Sequence, residues 1–249
     1  MKLFIYDNTF EGLLTAIYDG FYSKEPPTSI YGINDTNTPL LLGETVEIIT
    51  NDYKFKKVKS AIISKVDFFA LKKLYMVFLS NDKDKAMVIF KYLKIAFKIG
   101  PDIHSFLNIT EVRLVDDINK RVSSECHRFH GFIRFNYIDE KFLYSSIEPD
   151  NDILELLGDH FKDRFSKEYF IIHDVSREKA LFYNGFSYEI IHMDKETYEK
   201  LKSHNDEYFD LWKTYFKATT IEERKNLKLQ SRMMPKRYWK HILETSSFN

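Results

Sequence analysis

The chain has 249 residues, 44% hydrophobic and 30% charged, which supplies a packed core and excludes a disordered polypeptide. Its 37 basic and 37 acidic side chains cancel, so bulk charge points to neither nucleic acid nor a membrane surface. A single cysteine, Cys126, excludes an intrachain disulfide and a self-contained cysteine-ligated zinc or iron–sulfur site.

Lys2–Tyr6 is a short apolar run that reads as a strand. Asn8 with Glu11 resembles a capping box, and Phe10, Leu13, Leu14, Ile17 and Phe21 follow at helical spacing until Glu25-Pro26-Pro27. Residues 26–43 hold Pro, Gly, Asn, Asp and Thr and read as a loop. From about Thr45 to Arg121 the pattern is mostly helical, with helices expected over Val58–Val66, Phe68–Leu79, Lys85–Ile99 and Thr110–Arg121. Gly100-Pro101 stops the third of these.

The period then changes. Phe132–Tyr137 and Phe142–Ile147 read as strands, and a helix is expected from Glu148 through Leu154, Leu157, Phe161 and Phe165, its first turn acidic. Tyr169–His173, Lys179–Tyr183 and Phe186–His192 are further strands, the last two joined by the hairpin signal Asn184-Gly185. From Glu196 onward the tail is helical. The expected class is α+β: a helix-rich first half, an antiparallel sheet with one packed helix, and a basic helical tail. The corresponding regions are 1–122, 123–195 and 196–249, or all three form one unit. The 22 Phe and 16 Tyr are expected mostly in the core. The opening MKLFIYDNTFEG lacks a signal-peptide core, and no run approaches the roughly 20 apolar residues of a membrane span, so a soluble cytoplasmic protein is expected.

Local charge is uneven. Leu211–His241 holds nine basic residues, among them Lys213, Arg232, Lys236, Arg237 and Lys240, against Glu222 and Glu223, in a chain of zero net charge. Such a face suits phosphate contact or is a solvated helix surface. Within RMMPKRYWKHI, a helical projection places Pro235, Tyr238, Trp239, Ile242 and Leu243 on one arc. Lys236, Arg237, Lys240 and His241 fall on the other. The rings are therefore expected to anchor the segment, with its basic side left to solvent or phosphate.

Other groupings are weaker. ECHRFHGFIRF gathers Cys126, His127, Arg128, His130 and Arg134 before a strand, with Gly131 read as a turn residue. A metal site there needs adjacent residues to point at one ion and a fourth ligand from elsewhere, so no metal is assigned. A Cys–His nucleophile pair lacks an orienting third group. Glu148, Asp150 and Asp152 suit either magnesium or helix capping. His173-Asp174 at a strand end suits acid–base chemistry. No Walker A, GxGxxG, HExxH or GxSxG motif occurs, and no cofactor is expected.

Several segments together carry a resemblance: IYDNTFEGLLTAIYDGF, HRFHGFIRF, IEPDNDILELLGDHFKDRF, FIIHDVSREKALFYNG and LWKTYFKATTIEERKNLKLQSRMMPKRYWKHI. They resemble a bacterial family called "probable DNA metabolism protein", least so over residues 26–110. The resemblance implies a role in DNA repair beside a radical-SAM partner. Some members are fused to a uracil-DNA-glycosylase-like domain, and a chain stopping at Asn249 resembles the unfused form. One cysteine cannot hold a three-cysteine radical-SAM cluster, so radical chemistry would fall to the partner.

Three functions follow as expectations. The first is a DNA-binding accessory protein using Arg128, Arg134, Lys213, Arg232, Lys236, Arg237 and Lys240. The second is a nuclease or glycosylase with catalytic candidates His127, Glu148, His173 and Asp174. The third is an adaptor that docks the radical-SAM protein without touching DNA.

Overall fold

Lys2–Tyr6 forms strand β1, with Leu3, Phe4 and Tyr6 buried. Parallel neighbours flank it on both sides, β2 (Ser29–Gly32) and β3 (Glu44–Glu47), in the order β2-β1-β3. The first parallel pairing requires a crossover, and helix α1 (Phe10–Tyr22) provides it. Its N-cap is Thr9, whose hydroxyl accepts from Gly12 N–H, rather than Asn8. Asn8 has φ +61°, a left-handed conformation that Asn tolerates better than most residues. Both outer strands correct the sequence reading, which placed Ser29–Gly32 in a loop and Thr45–Glu47 in a helical stretch. Each has four residues, and β3 exposes Glu44, Thr45 and Glu47, so neither shows an apolar period.

The computed structural model describes residues 2–34, 44–139, 141–202, 214–215, 218–221, 223 and 226–242. It divides into two units, Met1–Ser123 and Ser124–Asn249. In the first unit α2 (Asp52–Lys65), α3 (Phe68–Leu79) and α4 (Lys85–Ile99) follow the sheet. Asn51 and Asp67 cap α2 and α3 by accepting backbone N–H groups three residues on. Gly100, at φ +82°, ends α4 before a 3-10 turn over Pro101–Ser105.

Helix α5 runs from Thr110 to Phe132, past the expected end at Arg121. Buried Val122, Glu125, Cys126 and Phe129 continue its inner face at helical spacing, so ECHRFHGF is helix and not the approach to a strand. A Cβ on Gly131 would meet nothing within 4 Å, and the residue serves no tight turn. Arg134 donates to the carbonyl oxygens of Gly131 (2.6 Å) and Ile133 (3.2 Å), satisfying the end of the helix.

The second unit carries a sheet of order β4-β5-β6-β7-β8. These are Asn136–Ile138, Phe142–Ile147, Phe170–Asp174, Lys179–Tyr183 and Tyr188–His192. Three of the four pairings are antiparallel. The β5–β6 pair is parallel, because α6 (Leu154–Arg164) carries the chain across between them. The hairpin between β7 and β8 turns at Gly185, φ +86°, with the Asn184 side chain accepting from the N–H groups of Phe186 and Ser187. The architecture is α+β. Helix α7 (Lys195–Lys202), helix α8 (Leu227–Met233) and a 3-10 helix (Lys236–His241) follow. Among the described residues no helix is long and apolar enough to cross a membrane.

Candidate functional site

Helix α6 begins at Leu154, so Glu148, Asp150 and Asp152 precede it and are not its first turn. Glu125 on α5, 3% exposed, explains the local path of the chain. Its carboxylate accepts from the backbone N–H groups of Asp150 (2.7 Å) and Asn151 (2.9 Å) and from the Asn151 side chain (2.5 Å). Tyr238 donates to the same carboxylate at 2.5 Å. A buried carboxylate is tolerable only when its lone pairs are filled in this way. Burial, reinforced by Glu125, pushes the Tyr238 phenol above its ordinary range, so it remains a donor. No motif marked Glu125; the apolar Val122, Cys126 and Phe129 at helical spacing were the available signal for the helix that carries it.

The acidic stretch thereby meets the basic tail. Arg237 pairs with Asp150 at 2.6 Å and lies over the Tyr238 ring, and Lys240 pairs with Glu148. Asp152 pairs with Lys179 at 2.8 Å. Tyr238, Trp239 and Ile242 are buried, and the indole N–H donates to the Met234 carbonyl at 2.8 Å. His241 departs from the expected solvent-facing arc. Its side chain is 6% exposed; Nδ1 shares a hydrogen bond with Ser146 Oγ at 2.9 Å, and Nε2 lies 3.5 Å from Glu148 Oε1. The segment is 3-10 rather than α-helical, so residues three apart eclipse and His241 falls beneath Tyr238 on the inner side.

Phe129, Phe132, Ser146, Ile147, Glu148, Tyr238, His241 and Ile242 line a shallow recess with room for about one water molecule. The combination of an apolar floor with a hydroxyl, an imidazole and a carboxylate makes it the candidate site. It holds one of the four expected catalytic residues, Glu148. His127 is exposed on α5. His173 is completely buried: its Nδ1 accepts from Tyr144 O–H at 2.8 Å and its Nε2–H donates to the Met193 carbonyl at 3.0 Å. Asp174, also fully buried, accepts from Ser176 and Arg177 and closes the turn after β6. Both residues have structural partners: both ring nitrogens of His173 and both carboxylate oxygens of Asp174 are hydrogen-bonded.

Of the expected phosphate-binding residues, Arg128, Arg232 and Lys236 are exposed, with Lys236 placed over the Trp239 ring. Arg134 caps α5, Arg237 and Lys240 are ion-paired, and Lys213 lies outside the described residues. Cys126 is buried, its thiol pushed up to about 11 by desolvation and then by Glu125, which disfavours the nucleophilic thiolate. His130 and His160 stack with centroids 4.1 Å apart, and burial and then the neighbouring imidazoles lower His130. Among the described residues no group of three or more His, Cys, Asp or Glu is placed to hold a metal ion.

Fold and recess together define an α+β protein whose C-terminal segment is clamped onto a mixed sheet by a buried carboxylate. The chain belongs to the family described as a domain of unknown function, DUF4130, whose sequence model matches residues 83–244. No curated protein and no solved structure matches it.

Proposed function

We propose that this protein binds nucleic acid through its C-terminal segment and acts as an accessory factor in DNA metabolism, working with a radical-SAM enzyme. The observation that carries the reading is the division of labour in residues 228–242. Tyr238, Trp239 and Ile242 clamp the segment to the protein, while Lys228, Arg232 and Lys236 remain exposed. Arg237 and Lys240, already paired with Asp150 and Glu148, hold the segment in place and contribute less to phosphate binding.

The test separates these roles. Replacing Lys228, Arg232 and Lys236 by Gln is expected to flatten the slope of log affinity against log salt on duplex DNA by about 3. Arg237→Ala with Lys240→Ala is expected to leave most of that slope, and to cost about 0.2–1 kcal/mol of stability per exposed ion pair. Unchanged salt dependence in the triple variant overturns the reading.

A second reading, catalysis at the recess, is favoured by one arrangement. Ser146, His241 and Glu148 follow the order nucleophile, base and orienting acid, at 2.9 and 3.5 Å. It replaces His173 and Asp174 as the place to look for hydrolysis or phosphoryl transfer. Labelling by a serine-directed fluorophosphonate and product formation on damaged oligonucleotides are both expected to vanish in Ser146→Ala. Turnover that survives Ser146→Ala and His241→Asn sinks it.

A further inference from the structure

The strongest local charge lies outside the tail. Residues 53–98 hold twelve lysines, no arginine and three aspartates, a larger excess than that of residues 211–241. Helices α2, α3 and α4 carry eleven of the lysines in the first unit, and two of the three acids are engaged. Asp67 caps α3 and bonds His104 at 2.9 Å, and Asp82 pairs with Arg121 at 3.3 Å. The third, Asp84, is exposed.

The lysines are ordered. Lys91, Lys94 and Lys98 recur at i, i+3 and i+7 along α4, all exposed, which makes a rail down one face. Lys65, at the end of α2, reaches over the Phe97 ring of α4 at 5.7 Å and brings the two helix ends together. Immediately beyond it, Phe68 and Phe69 open α3 at 56% and 54% exposure. Lys72 sits over the Phe68 ring at 5.1 Å, and Phe69 lies edge-on to His104 at 5.2 Å, beside the end of α4. Exposed rings inside a lysine field are not core residues that failed to bury. Each pairs a face with a lysine one turn on, Phe68 with Lys72 and Phe69 with Lys73 at 4.8 Å.

We infer that this surface of α2, α3 and α4 binds single-stranded nucleic acid, with phosphates on Lys65, Lys91, Lys94 and Lys98 and unpaired bases on Phe68 and Phe69. Lysine is a point charge that tolerates the irregular spacing of a flexible strand. An acidic protein partner would call for arginine, since protein interfaces enrich Arg and deplete Lys. A duplex keeps its bases stacked inside and cannot offer them to rings on a helix surface, whereas an unpaired strand can. The inference stands on residues separate from those of the C-terminal reading, and each can fail alone.

The experiment is anisotropy titration of a labelled oligothymidine and of a duplex by the full chain over 50–200 mM salt. Lys91→Gln, Lys94→Gln and Lys98→Gln together are expected to flatten the single-strand slope by about 2, so that wild type loses about 20-fold more affinity across that range. Phe68→Ala with Phe69→Ala is expected to weaken single-strand binding at least about fivefold per ring and to spare the duplex. All five side chains are exposed, and unchanged thermal melts check that the variants remain folded. If both variants bind like wild type, or the Phe pair weakens the duplex equally, the inference is overturned. Loss confined to the Lys228, Arg232 and Lys236 variant overturns it too, while supporting the C-terminal face. Loss confined to the α4 variant does the reverse.

Discussion

Glu125→Ala is expected to destabilise the second unit by about 3–5 kcal/mol, the range seen when one partner of a buried charged network is removed. The loss strands two backbone N–H groups and the Asn151 amide, and leaves the Tyr238 hydroxyl only its longer bond to Asp150 at 3.3 Å. Each orphaned donor costs about 1–3 kcal/mol. Tyr238→Phe removes the bond to Glu125 and the longer one to Asp150, and is expected to cost about 1.5–3 kcal/mol. Because Glu125 and Tyr238 share the first of these bonds, the double variant should be less destabilised than the sum. Urea unfolding of the four proteins measures the coupling, and strict additivity would mean that the bond is not made. Limited proteolysis adds a second readout: in Glu125→Ala the chain after Met234 should become cleavable, because its latch is gone.

The second large effect is acid lability centred on His173. Burial holds its pKa below the ordinary value of 6.5, outweighing the opposing hydrogen bond to Met193 and nearby carboxylates. Protonation would also turn Nδ1 from an acceptor into a donor facing Tyr144 O–H, a hydroxyl that burial keeps protonated. As pH falls through 6.5 the unfolded chain takes up the proton while the folded one refuses it. Stability is therefore fully present above 6.5 and is lost as pH drops toward the folded pKa, by at most about 1.4 kcal/mol per pH unit for each such group. His130, lowered by burial and then by His160 and His127, adds to the loss with the same sign. His173→Ala is expected to cost about 3 kcal/mol at pH 7.5, from two unpaired groups and a cavity, and to show a shallower pH slope. Urea midpoints between pH 7.5 and 5.5 decide it, a flat wild-type profile being the contrary result.

Much of the secondary structure was legible because its signals are local. Helices α3 and α4 repeat apolar residues every three or four positions, and Asn184-Gly185 specifies a turn from two residues. The β2 and β3 strands were hidden because four-residue partners of a central strand carry no period of their own. The extension of α5 was hidden for a related reason. His127, Arg128 and His130 make the segment look like a polar rim, and the surfaces that bury Glu125 and Phe129 lie far along the chain. The lysine field of residues 53–98 was open to simple counting. Only a charge count taken over every window, rather than over the tail, would have found it.

The α+β class, the exclusion of an intrachain disulfide, and the anchoring role of Tyr238 and Trp239 beside a row of cations could all be read from the residues alone. Tertiary structure alone decided which cations remain available. Lys240 meets Glu148 across 92 residues of chain, Arg237 meets Asp150, and His173 vanishes into the core with both nitrogens bonded. Charge belongs to the residue type and can be read from a letter. Its availability depends on what the fold packs against it, and ion pairs and burial across such separations leave no local trace.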